Sequence, residues 1–588
     1  MPGNPRVVAA IDFGTYASGY AWLVVDPRVR EPADYQIVHN NAWPGNEDVS
    51  AAKTRTALLV DGPGKIAAYG SEAYHVIRDR RAKGAPLGVL VDDFKVAMKT
   101  GVSGYKISRN DRALTGLKRA GLSVDQAAAS YLKWMYSQAL ADMARSGIQT
   151  GDIEWCLTVP AIWEPAEKDR MRTAATAAGI RDDHLHLALE PEAAAIYAYL
   201  TQGQLSGGQG AGALDLVRVG SRFMVVDGGG GTVDITAYRV VDEGGKTGLG
   251  EIGRAKGERL GSEYLNLGFI DLISRHLGGS AAAYEMEKAD PVGFGDLMQK
   301  WANEKRYVQF EPKESVEVAL GARIDRWLSP AMRKSLAQSQ AGVDDSIVAL
   351  PREISDIFAA VVEPTLDYID RQLSEMAAFT SKQLPMETIL LAGGFAASPY
   401  LQEAIRRRFV GRASVIQAMH PETAVLHGAV HFARDPEITR IRRVQHTWGL
   451  SQIEDFDASR HDSKHRKRVS GRDACDGIFG IYVHAGDPIS PDKPATQTTL
   501  PYDASQDNIL LELYSTLERW PDYVDDPGCA KSASVTIPIS NMKHLPRDQR
   551  EVEVAMYFGR AELEVHATNT LSRETRKLKV KYSQTLGD

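Results

Sequence analysis

Residues 223–236 read Phe223-Met-Val-Val-Asp-Gly-Gly-Gly-Gly-Thr-Val-Asp-Ile-Thr236, an apolar run followed by an aspartate, four glycines and a second aspartate. The apolar run has the composition of a buried strand. The glycines permit a tight turn and let the backbone come within hydrogen-bond distance of a phosphate. Asp227 and Asp234 flank this turn, where carboxylates can hold the waters of a hard cation such as Mg²⁺. Taken alone, the stretch could also be an ordinary glycine-rich hairpin.

A second stretch, near the N-terminus, repeats this order of features. Val7-Val-Ala-Ala-Ile-Asp-Phe-Gly-Thr-Tyr-Ala-Ser-Gly-Tyr-Ala-Trp-Leu-Val24 is an apolar strand that ends in Asp12, followed by Gly14, Thr15 and another strand. Two strand–Asp–Gly–Thr–strand hairpins far apart in one chain indicate an internally duplicated phosphate clamp. We therefore expect a nucleotide to lie between the two halves.

Length and composition set broad limits on the protein. A chain of 588 residues is too long for one core, and its net charge of −7 gives no general attraction to nucleic acid. The three cysteines (Cys156, Cys475 and Cys529) have no metal-ligand spacing, and their odd number argues against a disulfide framework. The sequence has no apolar stretch of membrane-spanning length and no signal peptide at Met1–Pro5, so we expect a cytoplasmic protein without a membrane partner.

Strands and helices alternate over residues 5–433, which predicts an α/β domain. The predicted helices are Leu114–Ser146, Glu164–Ala178, Ile354–Ala378 and Pro399–Phe409, and the predicted strands include Ile153–Pro160 and Thr388–Phe395. Leu187–Tyr197 is predicted to be a short strand that enters a helix through Pro191. Residues 202–212 are rich in glycine and predict a surface loop.

The character of the sequence changes after residue 433. Residues 434–447 have the composition of a basic linker. Residues 448–588 contain short runs of alternating polarity, which predict an all-β sandwich domain with no helical lid after its last strand. The predicted strands are Ile478–Val483, Ile509–Tyr514, Ser534–Ile537, Val552–Phe558, Glu562–His566 and Leu578–Tyr582.

With these features in view, the chain resembles the seventy-kilodalton heat-shock protein family (DnaK-like), a branch of the actin-like ATPase superfamily. The contexts of Trp163 and Tyr197 are more similar to the atypical, lidless relatives in that family. The motifs that carry the resemblance are Ile11-Asp-Phe-Gly-Thr15, Leu157-Thr-Val-Pro-Ala161 with Leu189-Glu-Pro-Glu-Ala-Ala-Ala-Ile196, Asp227–Asp234, Leu391-Ala-Gly-Gly394 and Pro421-Glu-Thr-Ala-Val-Leu-His-Gly428.

The resemblance implies a duplicated, ribonuclease-H-like ATPase domain that binds ATP or ADP with Mg²⁺. The metal ligands it implies, mostly through water, are Asp12, Glu190, Asp227 and Asp234. The residues it implies for hydrolysis are Thr15, Lys95, Glu190, Asp227 and Thr232. The nucleotide contacts it implies are Gly14, Thr15, Tyr16, Gly229, Gly230, Gly231, Thr232, Lys305, Arg306, Gly393, Gly394 and Phe395.

Several positions leave alternatives open or depart from the family pattern. Lys95 could be an ordinary surface lysine, and Glu190 could simply favour the start of a helix. Three residues before Lys305 the family has a glutamate, whereas this chain has Ala302. The motif Leu391–Gly394, which resembles the family's adenosine loop, continues here as Phe395-Ala-Ala-Ser-Pro399. These changes affect the nucleoside end of the site. The linker stretch Arg440–Val444 is basic with few apolar positions, which departs from the leucine-rich linker of the family.

The resemblance implies a chaperone-like protein whose slow ATP hydrolysis controls a protein or peptide client, with a co-chaperone or exchange factor as a further partner. Two alternatives are a nucleotide-sensing scaffold protein without refolding activity and a small-molecule kinase of the same superfamily. Residues 248–253 match a dinucleotide-binding glycine pattern, but no strand–helix frame surrounds them. The basic stretch 459–472 lacks interleaved aromatic residues, which favours a solvated loop over a nucleic-acid site.

Overall fold

A computed structural model of the protein describes residues 6–29, 31, 34–45, 52–98, 109–148, 152–201, 205–206, 216–378, 386–418, 420–490, 493–558 and 563–579. The backbone packs as two units. The first comprises Met1–Ile162, Arg170–Tyr238 and Lys256–Pro436, and the second comprises Trp163–Asp169, Arg239–Ala255 and Glu437–Asp588.

The N-terminal third of the chain alternates short strands with helices. Its elements are β1 (Val7–Asp12), β2 (Ala17–Val24), β3 (Val38–His39), β4 (Thr54–Arg55), β5 (Ala57–Gly62), β6 (Lys65–Tyr69), α1 (Gly70–Ala82), β7 (Val89–Asp92), α2 (Arg109–Ala120), α3 (Val124–Arg145), β8 (Ile153–Val159), α4 (Pro165–Ala177), β9 (Leu185–Leu189), α5 (Glu190–Leu200) and β10 (Leu205–Ser206).

The middle of the chain is richer in helix. Its elements are β11 (Arg222–Gly228), β12 (Val233–Glu243), β13 (Lys246–Glu251), β14 (Lys256–Glu258), α6 (Glu263–His276), α7 (Ala282–Ala289), α8 (Pro291–Glu304), β15 (Val316–Ala319), α9 (Ala322–Trp327), α10 (Pro330–Ser339), β16 (Ser346–Ala349), α11 (Pro351–Ala378), β17 (Thr388–Ala392), α12 (Pro399–Phe409), β18 (Ser414–Ala418) and α13 (Pro421–Arg434).

The described part of the C-terminal region has strands and short 3₁₀ turns as its regular structure. The strands are β19 (Thr439–Arg443), β20 (Thr447–Asp455), β21 (Arg466–Val469), β22 (Arg472–Val483), β23 (Pro488–Ile489), β24 (Ala495–Thr499), β25 (Asn508–Thr516), β26 (Ala530–Pro538), β27 (Val552–Tyr557), β28 (Glu564–Asn569) and β29 (Thr575–Lys579). No helix in the described residues is both long enough and apolar enough to cross a membrane.

The first unit contains the same strand arrangement twice. One sheet has the order β2-β1-β8-β9, in which β1 forms a hairpin with β2 and lies parallel to β8, which lies parallel to β9. The other has the order β12-β11-β17-β18, in which β11 neighbours β12 and lies parallel to β17, which lies parallel to β18. The two aspartate–glycine stretches therefore occupy equivalent places, at the turn of each hairpin.

Helices α5 and α13 pack closely against each other, and α13 also packs on β1 and β8. Gly428 makes this approach possible because a Cβ atom at that position would overlap the carbonyl group of Ala193. The long helix predicted over 354–378 is present as α11, which begins three residues earlier, and the helix predicted over 399–409 is present with the expected bounds.

The prediction of one helix over residues 114–146 is wrong. The chain forms two helices, because Gly121 adopts a φ of +67° and Ser123 starts a new helix. The Ser123 hydroxyl accepts a hydrogen bond from the Gln126 amide at 3.1 Å, and the Gln126 side chain accepts one from the Ser123 amide at 2.9 Å. This reciprocal cap favours a helix start at Ser123. The apolar spacing continues across it, so spacing alone predicts a single helix.

The second unit has two antiparallel sheets, with strand orders β21-β22-β20-β25-β26 and β24-β27-β28-β29. Side chains from both sheets form one apolar core, which includes Trp448, Leu511, Val554 and Val565. Each of the six strands predicted for this region overlaps an observed strand.

Residues 439–443 in the predicted linker form a strand. Strand β19 lies parallel to β13 and antiparallel to β23. The amide of Arg443 donates to Glu251 at 2.6 Å, and its guanidinium donates to the Gly486 carbonyl at 3.0 Å. The glycine pattern 248–253 lies largely on β13, where a side chain on Gly248 would collide with the Ile438 carbonyl.

The basic stretch 459–472 contains an edge strand. Strand β21 pairs with β22. Its cations have carboxylate partners, since Arg466 contacts Asp473 at 2.5 Å and Lys467 contacts Asp476 at 2.6 Å. Such internal pairing agrees with a solvated surface segment.

Candidate functional site

The turn after β11 is held by the start of helix α6. The amides of Ser262 and Glu263 donate to the carbonyls of Gly229 and Gly230 at 3.1 and 2.9 Å, and the Gly229 amide donates to the Thr232 carbonyl at 2.9 Å. In the described part of the chain, the amides of Gly230 and Gly231 have no backbone acceptor outside helices and strands. A turn whose carbonyls already accept hydrogen bonds from the protein, while its amides can still donate, is suited to binding an anion.

The turn after β1 is held from a different direction. The Gly14 carbonyl accepts a hydrogen bond from the Thr56 hydroxyl at 2.7 Å, and the Tyr16 carbonyl accepts one from the Thr56 amide at 2.9 Å. The Arg55 guanidinium lies 3.7 Å from the centre of the Tyr16 ring. Tyr16 is thus fixed by a cation–π contact.

Four carboxylates belong to this region, and each lies on an element end. Asp12 ends β1 and accepts a hydrogen bond from the Thr158 hydroxyl at 2.8 Å. Glu190 begins α5 and contacts the Lys95 ammonium at 2.7 Å. Asp234, near the start of β12, accepts a hydrogen bond from the Ile162 amide at 3.1 Å. These contacts connect the hairpins with β8 and the residues that follow it.

Asp227 lies beside the glycines of the 391–394 motif. Its strand neighbour in β17 is Ala392, and the next residue, Gly393, has a φ of +83°. A Cβ atom on Gly393 would overlap the Asp227 carboxylate, so this glycine is needed for the aspartate to fit. The structure therefore brings together two sequence motifs that are far apart in the chain.

The charges of these groups act on one another. Burial raises the pKa of Asp227 well above its usual value, and the charges of Glu190 and Asp234 raise it further. Burial, with the Glu190 charge, raises the pKa of Asp234 to about 7. Burial opposes ionisation of Asp12, but the Lys53 ammonium outweighs it and lowers the pKa of that carboxyl. Mutual shifts of this kind mark a cluster of carboxylates that would gain from a bound cation.

The residues present fit a hydrated Mg²⁺ ion. The Oδ2 atom of Asp234 is buried and accepts no hydrogen bond within the described residues. No three Asp, Glu, His or Cys side chains in that part of the chain converge closely enough to coordinate a metal directly. Carboxylate oxygens that are close but not convergent suit an ion that keeps several of its waters, as Mg²⁺ does.

Lys95 is a buried residue of the site. It lies on a 3₁₀ turn, Phe94–Met98, and its side chain is 2% exposed. The interpretation of Lys95 as a surface lysine is therefore wrong. Glu190 does begin a helix, and it also holds this ammonium group, so the two interpretations of Glu190 are compatible.

The residues predicted for the nucleoside end have structural contacts of their own. The Lys305 ammonium donates to the Ser262 carbonyl and to Asn266 Oδ1, both at 2.9 Å, which ties the end of α8 to the start of α6. Arg306 is exposed, whereas Phe395 is buried beside Gly228. Contact of these residues, or of Gly394, with a nucleoside stays a prediction.

Sequence reasoning missed Lys53, Thr56 and Thr158 as members of this site. Thr158 lies inside a quoted motif, so a hydroxyl two residues before Pro160 was a usable signal. Lys53 and Thr56 lie in no motif, and only the pairing of β4 with β2 brings them to the first hairpin.

The homologues of this chain are atypical members of the seventy-kilodalton heat-shock protein family, and this homology implies an actin-like ATPase fold. The chain is 26% identical to Heat shock 70 kDa protein 12A of Mus musculus and 25% identical to Heat shock 70 kDa protein 12B of Homo sapiens. Each similarity covers 98% of this chain and 91% of the relative.

A more distant similarity joins the chain to the DnaK branch. Chaperone protein DnaK 3 of Synechococcus sp. is 26% identical over 46% of this chain and 36% of its own length. No protein-family model matches the chain. The resemblance to the heat-shock family, and in particular to its atypical relatives, is confirmed.

Proposed function

We propose that the protein is a chaperone-like ATPase that binds and slowly hydrolyses ATP, with Mg²⁺, to control the binding of a protein or peptide client. The observation that carries the proposal is a carboxylate cluster beside two glycine turns. It consists of buried Asp12, Asp227 and Asp234 and the partly buried Glu190, with two lysine ammonium groups. Homology to a family of ATPases supports the same conclusion.

Each part of the site has a defined task in this proposal. Phosphoryl transfer depends mainly on positioning and on stabilising negative charge. The amides of the glycine turns would donate to the phosphates, with Thr15 and Thr232 beside them. The four carboxylates would hold the waters of Mg²⁺, which neutralises phosphate charge when bound. Lys95, held by Glu190, would orient the attacking water.

Residues 158–162 are suited to report on the bound nucleotide. Thr158 donates to Asp12 from the first hairpin, and the Ile162 amide donates to Asp234 from the second. Pro160 lies between these two contacts. A change in the position of either aspartate on ATP binding would therefore pull on this short segment.

Measuring the rate at which the protein releases phosphate from Mg-ATP tests the proposed ATPase activity. Asp227→Asn keeps the shape of the side chain but removes its ability to ionise, and we expect a loss of about a hundredfold or more in turnover. Because burial already raises the pKa of Asp227, the asparagine should leave thermal unfolding of the ligand-free protein nearly unchanged. Asp79→Asn, at an exposed position on α1, is the matched control. Full turnover in Asp227→Asn, or none in the wild type, would contradict the proposal.

Peptide release tests the client part of the proposal. We propose that the two sheets of the second unit form a client-binding β-sandwich, supported by their shared core. Mg-ATP should speed the dissociation of a fluorescent model peptide. Hydrolysis without any effect on peptide binding would instead support a nucleotide-sensing scaffold. Transfer of phosphate to a metabolite, with none released, would support a kinase.

A further inference from the structure

Lys53 is a second ammonium group in the carboxylate cluster. Its Nζ atom lies 2.5 Å from Asp12 Oδ2. Burial opposes ionisation of Lys53, but the charges of Asp12, Asp227 and Glu190 outweigh burial and raise the pKa of the ammonium group. Asp12 already accepts a hydrogen bond from Thr158 on its other oxygen. The carboxylate is therefore held in place from two sides, by a hydroxyl and by a cation.

The first hairpin provides room for the Lys53 side chain. Lys53 immediately precedes β4, whose residues Thr54 and Arg55 pair with Ser18 and Ala17 of β2. Gly19 pairs with Asp12, and a Cβ atom on Gly19 would lie only 3.0 Å from Lys53 Cγ. The absence of a side chain at Gly19 thus opens a path along which the lysine reaches Asp12.

The two lysines of the cluster differ in their access to a ligand. The Lys95 side chain is 2% exposed, whereas that of Lys53 is 21% exposed. A nucleoside diphosphate entering a cluster of carboxylates meets repulsion that cations must offset. Of these two ammonium groups, Lys53 is the one that can turn towards such a ligand without uncovering a buried side chain.

We propose that Lys53 is a phosphate-binding residue of the nucleotide site, which holds Asp12 in the free protein and contacts the phosphate chain of a bound nucleoside diphosphate. The protein itself then supplies part of the charge neutralisation that a divalent cation would otherwise provide. This inference rests on the proposed function, because it takes the cluster to be a nucleotide site. It adds a residue that none of the five sequence motifs contains.

Calorimetric titration with ADP, once with excess EDTA and once with Mg²⁺, tests the inference. In EDTA, Lys53→Met should lose about tenfold in ADP affinity, the size expected for one charge-assisted hydrogen bond. Lys53→Arg keeps the charge and should retain most of the affinity. Lys65→Met, at an exposed position on β6, should match the wild type. The ratio of the affinities with and without Mg²⁺ should therefore rise in Lys53→Met alone.

A second measurement on the wild type covers the case in which Lys53→Met does not fold. ADP in EDTA should protect Lys53, but not Lys65, from acetylation as read by mass spectrometry. Unchanged ADP affinity in Lys53→Met, or no protection of Lys53, would overturn the role of Lys53. If Mg-ADP still bound the protein, the proposed function would remain intact. Absence of ADP binding to the wild type in either buffer would overturn both.

Discussion

Single glycines decide whether neighbouring elements of the first unit fit together. Gly428 lies where α13 meets α5, and any side chain there would overlap the Ala193 carbonyl. A side chain on Gly393 would likewise overlap the Asp227 carboxylate. Both glycines leave room for a neighbouring group, a backbone carbonyl at Gly428 and a carboxylate at Gly393, because close-packed interiors cannot absorb an extra methyl group without strain.

Gly428→Ala should lower the free energy of unfolding by about 2–3 kcal/mol, the cost of overpacking a buried contact. Gly295→Ala is the matched control, since Gly295 is also inside a helix but has open space around a Cβ atom. That change should raise stability by about 1 kcal/mol through helix propensity. Urea unfolding of the two variants checks the difference. Equal effects would show that the helix crossing tolerates a side chain.

A site residue can be predicted from the sequence only when its neighbours in the chain form a recognisable pattern. Asp12, Asp227 and Asp234 adjoin glycine turns, so local pattern is sufficient to predict them. Lys53 is not predictable in this way, because its partner Asp12 is 41 positions away and the contact follows from strand pairing. Lys305 is predicted only from the family resemblance, and its contacts with Ser262 and Asn266 depend on packing between two helices.

At the scale of elements, α13 carries a buried histidine that makes stability depend on pH. His427 Nε2 lies 3.1 Å from His39 Nδ1. Burial, together with the charge of His39, lowers the pKa of His427 to about 3. The unfolded histidine takes up a proton near pH 6.5. The unfolded state thus binds more protons between pH 6.5 and 3, and the folded state loses stability as the pH falls through that window.

Urea unfolding at pH 7 and pH 5 should show that the wild type loses about 2 kcal/mol relative to His427→Gln as the pH falls, because the variant lacks the His427 contribution while the other titrating groups act in both proteins. The neighbouring His431, whose pKa burial lowers to about 4, should leave part of the pH slope in that variant. His75→Gln, at an exposed site on α1, should keep the full wild-type slope. The same slope in His427→Gln as in the wild type would exclude His427 as its source.

The linker shows where sequence patterning fails for an element. Residues 440–443 are basic and lack the alternation of a buried strand, yet they lie in β19. Strand pairing uses backbone groups, which the side-chain pattern does not report. The guanidinium of Arg443 donates to the backbone carbonyls of Glu251 and Gly486, so the strand does not require an apolar residue there.

At the scale of the whole molecule, duplication is the feature that sequence and structure share. Two similar hairpin motifs predicted it, and the strand orders β2-β1-β8-β9 and β12-β11-β17-β18 repeat it. The sequence also indicated a separate all-β region after residue 433. It did not indicate that residues 163–169 and 239–255 pack with that region, because grouping of this kind depends on contacts distant in sequence.

Calorimetric titration of the full chain with Mg-ATP tests whether the carboxylate cluster is a nucleotide site. We expect saturable binding of one ATP per chain, weakened at least about tenfold in Asp227→Asn, since that change removes one carboxylate from the cation site. Absence of binding heat, together with an unfolding temperature that Mg-ATP does not change, would show that the cluster binds no nucleotide.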